Sequence, residues 1–133
     1  MPTITTQDLT GAALDWAVAK IIATEEDQLS ALRVEHGRPV LLHDGGNPHG
    51  PRRSTRFSTF PEHGHPIIER HRISLQHLGD RVGWSARWPA WVPDGDGETI
   101  PAASGPTMLL AGLRCLVAAR LGPTVDVPQE LAP

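Results

Sequence analysis

Cysteine is nearly absent. Cys115 stands alone in 133 residues, so no intramolecular disulfide can form, and neither a zinc knuckle nor a CxxC redox pair can be assembled. A reducing compartment suits such a chain. Long apolar runs are missing as well: no stretch approaches the roughly 20 residues that a membrane-spanning helix needs. Met1 to Asp8 has neither the basic region nor the apolar core of a secretory signal. The expectation is a cytoplasmic protein without membrane contact. Aromatic residues make up only 5% of the chain and do not interleave with the basic ones, so direct nucleic-acid binding is not expected. The phosphate-cradling patterns GxGxxG and GxxxxGK[ST] do not occur; Gly45 and Gly46 run into Asn47 and Pro48, which make a turn. GxSxG is also missing. No acid is placed to orient a histidine toward the pairs Ser54 and Thr55 or Ser58 and Thr59, so no catalytic residue is nominated and no cofactor is implied.

Proline and glycine, by contrast, are abundant at thirteen each, which predicts a few packed elements joined by long irregular loops. The length suits one domain over residues 1–133, because a second core would be starved of apolar side chains. A helix is expected over about 9–23, where AALDWAVAKIIA is interrupted only by Asp15 and Lys20 and Thr10 stands ready to cap the start. Those two polar residues leave most of the cylinder apolar, so the helix must be covered on more than one side, with Trp16 as a core anchor. A second helix is expected over about 107–121, opened by Gly105 and Pro106 and closed by Gly122 and Pro123. Its core stripe includes Met108, Leu109, Leu113, Leu116 and Val117; Cys115 reads as buried packing, and Arg114 and Arg120 are expected to face solvent or a partner.

Strands are expected over about 39–43, 66–75 and 82–88. In the last, Trp84, Ala86 and Trp88 alternate with Ser85 and Arg87, the pattern of a half-buried sheet. The stretches 44–66 and 89–105 read as long loops, and 123–133 as an extended tail. The fold class is therefore α+β: a small, mostly antiparallel sheet packed with N-terminal and C-terminal helices.

Charge is unevenly spread within a formal total of −3. Residues 33–88 carry nine arginines against five acids, while the segments on either side are acidic. All seven histidines fall in the same middle stretch. Arg52, Arg53, Arg56, Ser58, Thr59, His63, His65, Glu69 and Arg70 are the candidate ligand-binding residues, with guanidinium groups pairing an anion and hydroxyls donating hydrogen bonds. The alternative is a metal-binding protein or metal-dependent hydrolase: Glu62, His63 and His65 offer imidazole and carboxylate ligands, with His43, His49 and His71 nearby. Asp94 to Glu98, DGDGE, reads as a solvated turn, because it lacks the spacing of a calcium loop.

Several segments together resemble a known family. LTGAALDWAVAK at Leu9 to Lys20, STFPEHGHPIIER at Ser58 to Arg70, Trp84 with Ala86, and GPTMLLAGLRCLVAARLG followed by VDVP at Gly105 to Pro128 are similar to the NinX-like family of small phage and prophage proteins. That family's central segment reads close to PSTDWAQGGPIIE. Here Ser58 and Thr59 are kept, Phe60 and Pro61 stand in place of an aspartate and a tryptophan, and His63 and His65 are added. The resemblance implies a phage or prophage origin, a bacterial host cell and an alpha-beta-alpha sandwich. It supplies no reaction. The expected function is that of a non-enzymatic accessory protein that binds a protein partner or a small anionic ligand.

Overall fold

The structure is a computed structural model, and it describes residues 1–42, 49–88 and 102–132. The first long element, α1 (Gly11–Glu25), forms because the run from Ala12 to Ala23 contains no glycine or proline and is rich in alanine and leucine-like side chains. It ends where Glu26 donates its amide to Ile22 O at 3.0 Å and Asp27 turns to φ 55°, a left-handed conformation that aspartate tolerates. The residues from Ala13 to Ala19 are all buried, so α1 is a central helix with cover on every side. Thr10 occupies the cap position, yet its hydroxyl makes no capping hydrogen bond. The expected cap is corrected on that point.

The cover comes from both directions. On one side lies the hairpin of β2 (Leu32–Glu35) and β3 (Arg38–Leu42), extended by the two-residue β4 (Arg52–Arg53). On the other lies α3 (Met108–Leu121), whose start is capped by the Thr107 hydroxyl accepting from the Leu110 amide at 3.1 Å. It stops at Gly122, where φ reaches 94°. The far face of α3 carries an antiparallel sheet of β5 (Ser74–His77), β6 (Trp84–Arg87) and β7 (Ala102–Gly105). In its register Leu75, Ala86 and Ala103 lie side by side, and Ala86 and Ala103 are buried. A third, two-stranded sheet joins β1 (Thr3–Thr5) to β8 (Thr124–Asp126), pinned by Thr6 donating its amide to Pro123 O at 2.8 Å and its hydroxyl to Gly122 O at 2.7 Å.

The mixed α+β class is thus present among the described residues, with antiparallel pairing distributed over three small sheets. The layer order differs from an alpha-beta-alpha sandwich: the two long helices lie together at the centre and strands flank them. The expected strand over 66–75 is also corrected. Residues 61–70 form a helix, α2 (Pro61–Arg70), and the strand begins only at Ser74. Pro61 at the first helical position and Glu62 beside the positive helix end start it, and Gly64, Ile67 and Ile68 then fall on one buried face at helical spacing. That face packs on α3. A Cβ at Gly64 would collide with Leu109 and with the carbonyl of Phe57, so the close approach depends on glycine. Neither stretch expected to be loop is wholly so: 44–66 contains β4 and the start of α2, and 89–105 ends in β7. The tail 123–133 carries β8 and a single 3-10 turn, Gln129–Leu131. His43, at the end of the expected strand over 39–43, lies outside the described residues.

Arg114 was expected at the surface and is instead buried, with 7% of its surface exposed. Its guanidinium donates Nε–H to Leu9 O and Nη1–H to Ser104 O, both at 2.9 Å, which ties α3 to the start of α1 and to β7. Burial pulls this guanidinium below its ordinary value, and the nearby Asp8 opposes that. Cys115 is fully buried, as expected, and burial pushes its thiol up to about 12, which removes it from nucleophilic chemistry.

Candidate functional site

Several concave regions draw on the basic middle of the chain, among them a smaller one of about 260 Å³ that Arg38, Arg53 and Arg56 share with Glu35 and His36. Two of them hold the candidate residues and differ in electrostatic state. The first is a cleft of about 370 Å³ at the beginning of α1. Gly11, Ala12 and Asp15 form one wall, Gly37, Arg38 and Pro39 a second, and Thr55, Arg56 and Thr59 the third. The second wall depends on a tight hairpin turn in which His36 and Gly37 both take positive φ, 53° and 73°, the geometry of a two-residue turn that matches strand twist. Arg38 follows directly after it.

The third wall is held by two side-chain links. The buried Thr55 hydroxyl donates to Pro39 O, which clips this segment to β3. Ser58 then donates its amide to Asp15 Oδ1 at 2.8 Å, and its hydroxyl reaches Gly11 O at 3.5 Å. Phe57, buried between them, anchors the turn. Arg56 stays exposed, with its guanidinium 6.0 Å from the centre of the Phe60 ring.

Asp15 is the unusual member of this cleft, a carboxylate on a helix that is otherwise apolar almost all round and only 6% exposed. Burial raises its carboxyl above the ordinary value, and the Ser58 amide and hydroxyl and the Arg38 charge act in the opposite sense. Neither Arg38 nor Arg56 forms an ion pair among the described residues.

The second region is a groove of about 510 Å³ running past Glu26, Arg52, Arg53, Glu62, His63 and Arg70 over a floor of Ile22, Phe57 and Ile67. Its arginines are paired. Arg52 forms a two-bond pair with Glu35, at 3.0 and 2.9 Å, and holds that carboxyl below its ordinary value. Arg53 meets Glu26 at 2.6 Å and Arg70 meets Glu25 at 3.0 Å. Glu25 also receives His71 Nε2 at 3.1 Å, with Arg120 at 3.9 Å. Arg120 in turn lies 5.3 Å from the Trp88 ring centre.

The nine candidate residues are therefore divided. Arg56 and Thr59 line the cleft and Ser58 braces it; Arg52, Arg53, His63 and Arg70 line the groove; His65 and Glu69 are exposed on α2 and border neither. The histidine alternative loses its local geometry, because His63 and His65 lie on a helix, about 200° apart around its axis, where a strand would have placed them on one face. Among the described residues no three His, Cys, Asp or Glu side chains gather to hold a metal ion. Asp94 to Glu98 lies outside the described residues.

Asp15, Arg38 and Thr55 were missed. Asp15 did carry a signal: an acid in the middle of a helix that must be covered all round will be buried, and a buried carboxylate requires a partner. Arg38 and Thr55 carried none, since both reach the cleft through strand pairing and a turn.

These features define a small α+β protein with an arginine-bearing cleft at the head of its central helix. Residues 5–120 match the family described as Bacteriophage P22, NinX, and the chain belongs to that phage protein family. No curated protein matches the chain. Among the described residues no helix is long and apolar enough to cross a membrane.

Proposed function

We propose that this phage protein is a non-enzymatic accessory factor of the host-cell cytoplasm that binds a small anionic ligand, phosphate- or carboxylate-bearing, in the cleft at the head of α1. One observation carries the reading: Arg38 and Arg56 border the same cleft of about 370 Å³ without an ion-pair partner among the described residues. A guanidinium left unpaired beside a concave surface is suited to a planar or tetrahedral anion, which it can grip with two parallel hydrogen bonds. Thr59 adds a hydroxyl donor in the third wall. Binding is favoured over catalysis because the Thr55 hydroxyl is occupied by Pro39 O, the Ser58 hydroxyl is engaged by Gly11 O and the Asp15 carboxyl, and no histidine lines the cleft. The groove is the weaker site for an anion, since Glu25, Glu26 and Glu35 already neutralise its arginines.

The test is calorimetric titration of inorganic phosphate and of guanosine monophosphate at low salt. Arg38→Ala and Arg56→Ala should each weaken binding by about tenfold or more, the loss expected for one charge-assisted contact. Unchanged affinity in both variants would remove the cleft as the site.

A further inference from the structure

We propose that the ligand of this cleft carries an N–H donor beside its anionic group, and that the Asp15 carboxylate is the residue that reads it. The inference rests on the anion-binding reading above and goes one step beyond it. A cleft built only to hold an anion has no use for a carboxylate in its wall, because the two negative charges repel. Yet Asp15 is placed there, in the same cleft as Arg38 and Arg56 and close enough to Arg38 for their charges to interact. Bracing Ser58 explains part of the carboxylate's role: the amide donates to Oδ1 at 2.8 Å, and the hydroxyl of the same residue also acts on it. That task requires only a neutral acceptor, and an asparagine would perform it without the cost of burying a charge.

A ligand with an ammonium or amino group next to its phosphate or carboxylate resolves the conflict. Its anion meets the guanidinium groups, and its N–H meets Asp15, so each charge in the wall receives an opposite charge or a hydrogen bond. An aminoalkyl phosphate and a free amino acid both have this chemistry.

Two matched pairs of probes separate these sources: O-phosphoethanolamine against ethyl phosphate, and alanine against propionate. Wild-type protein should bind the donor-bearing member of at least one pair about tenfold more tightly than its mate. In Asp15→Asn, which keeps an acceptor for the Ser58 amide, that preference should fall to within about twofold. The second readout needs no variant: the Asp15 carboxyl carbon resonance of wild-type protein should move with the donor-bearing probe and stay with its mate. Equal affinity within both pairs, a preference that survives in Asp15→Asn, or an unmoved resonance would overturn the inference. Anion binding without discrimination refutes this step alone, whereas failure of every probe and of inorganic phosphate refutes the anion reading beneath it as well.

Discussion

The cleft at the head of α1 and the groove past α2 take their arginines from the same stretch of chain, and only one of them presents free positive charge. In the groove, Arg52, Arg53 and Arg70 meet Glu35, Glu26 and Glu25. In the cleft, Arg38 and Arg56 meet no carboxylate at ion-pair distance among the described residues. The positive balance of residues 33–88 is therefore not a patch. Three of its nine arginines meet glutamates at the end of α1 and on β2, and two of the others, Arg38 and Arg56, border a different concavity from the one the linear count suggests. A local excess of charge becomes a site only where the fold withholds the counter-charge.

The largest expected effect comes from the joint on which both regions depend. Gly64 lets α2 approach the Phe57 carbonyl and Leu109, and the segment from Thr55 to Thr59 supplies a wall of the cleft while Phe57 forms part of the groove floor. Gly64→Ala forces that backbone aside, and urea unfolding should show a loss of about 2–3 kcal/mol. Anion affinity should weaken with it. A variant of wild-type stability would show that the two regions are not braced against one another.

A smaller effect is expected where the groove arginines are removed. Arg53 and Arg70 sit in partly exposed ion pairs, so Arg53→Ala and Arg70→Ala should each lower stability by under about 1 kcal/mol, and by less at high salt. Phosphate affinity should stay within about twofold of wild type in both. Loss of anion binding in either one would erase the distinction between groove and cleft and return the site to the α2 side.

The smallest effect is a slope. The Asp15 carboxyl is raised above its ordinary 3.8, so the native state holds that proton more tightly than the unfolded chain does. Its stabilising contribution is full below pH 3.8 and is lost as pH rises through the folded-state value. Asp15→Asn lacks this loss. The stability of the variant relative to wild type, followed by urea unfolding from acid to neutral pH, should therefore climb and then level off. A flat or falling difference would mean that Ser58 and Arg38 outweigh the desolvation of the carboxylate.

Much of the fold could be read from the chain because it is set by nearest neighbours. The run around Trp16 and the stripe from Leu109 to Val117 repeat at helical spacing, and the helices found, Gly11–Glu25 and Met108–Leu121, lie within two residues of the starts expected for them. The alternation that begins at Trp84 and Ala86 likewise became β6, which ends at Arg87, one residue short of Trp88. The stretch PIIERHRISL misled because a period of two can be laid over it, although neither resulting face is cleanly apolar, while the determining feature, the glycine-lined contact of α2 with α3, depends on another part of the chain. Within the candidate site, Arg56, Ser58 and Thr59 were recognisable from their residue types and position. Asp15, Arg38 and Thr55 enter the cleft only once the chain has closed on itself.

From the sequence alone, then, came two apolar helices, a half-buried strand, an inert cysteine and the segments shared with a phage family, all of them properties of short-range periodicity and composition. The tertiary structure decided which charges meet. Ser58 finds Asp15 across 43 residues and Arg70 finds Glu25 across 45, and the buried Arg114 reaches Leu9 across 105. Electrostatic interactions act through space between groups whose separation only the folded chain sets, so no count along the sequence can tell a neutralised arginine from a free one.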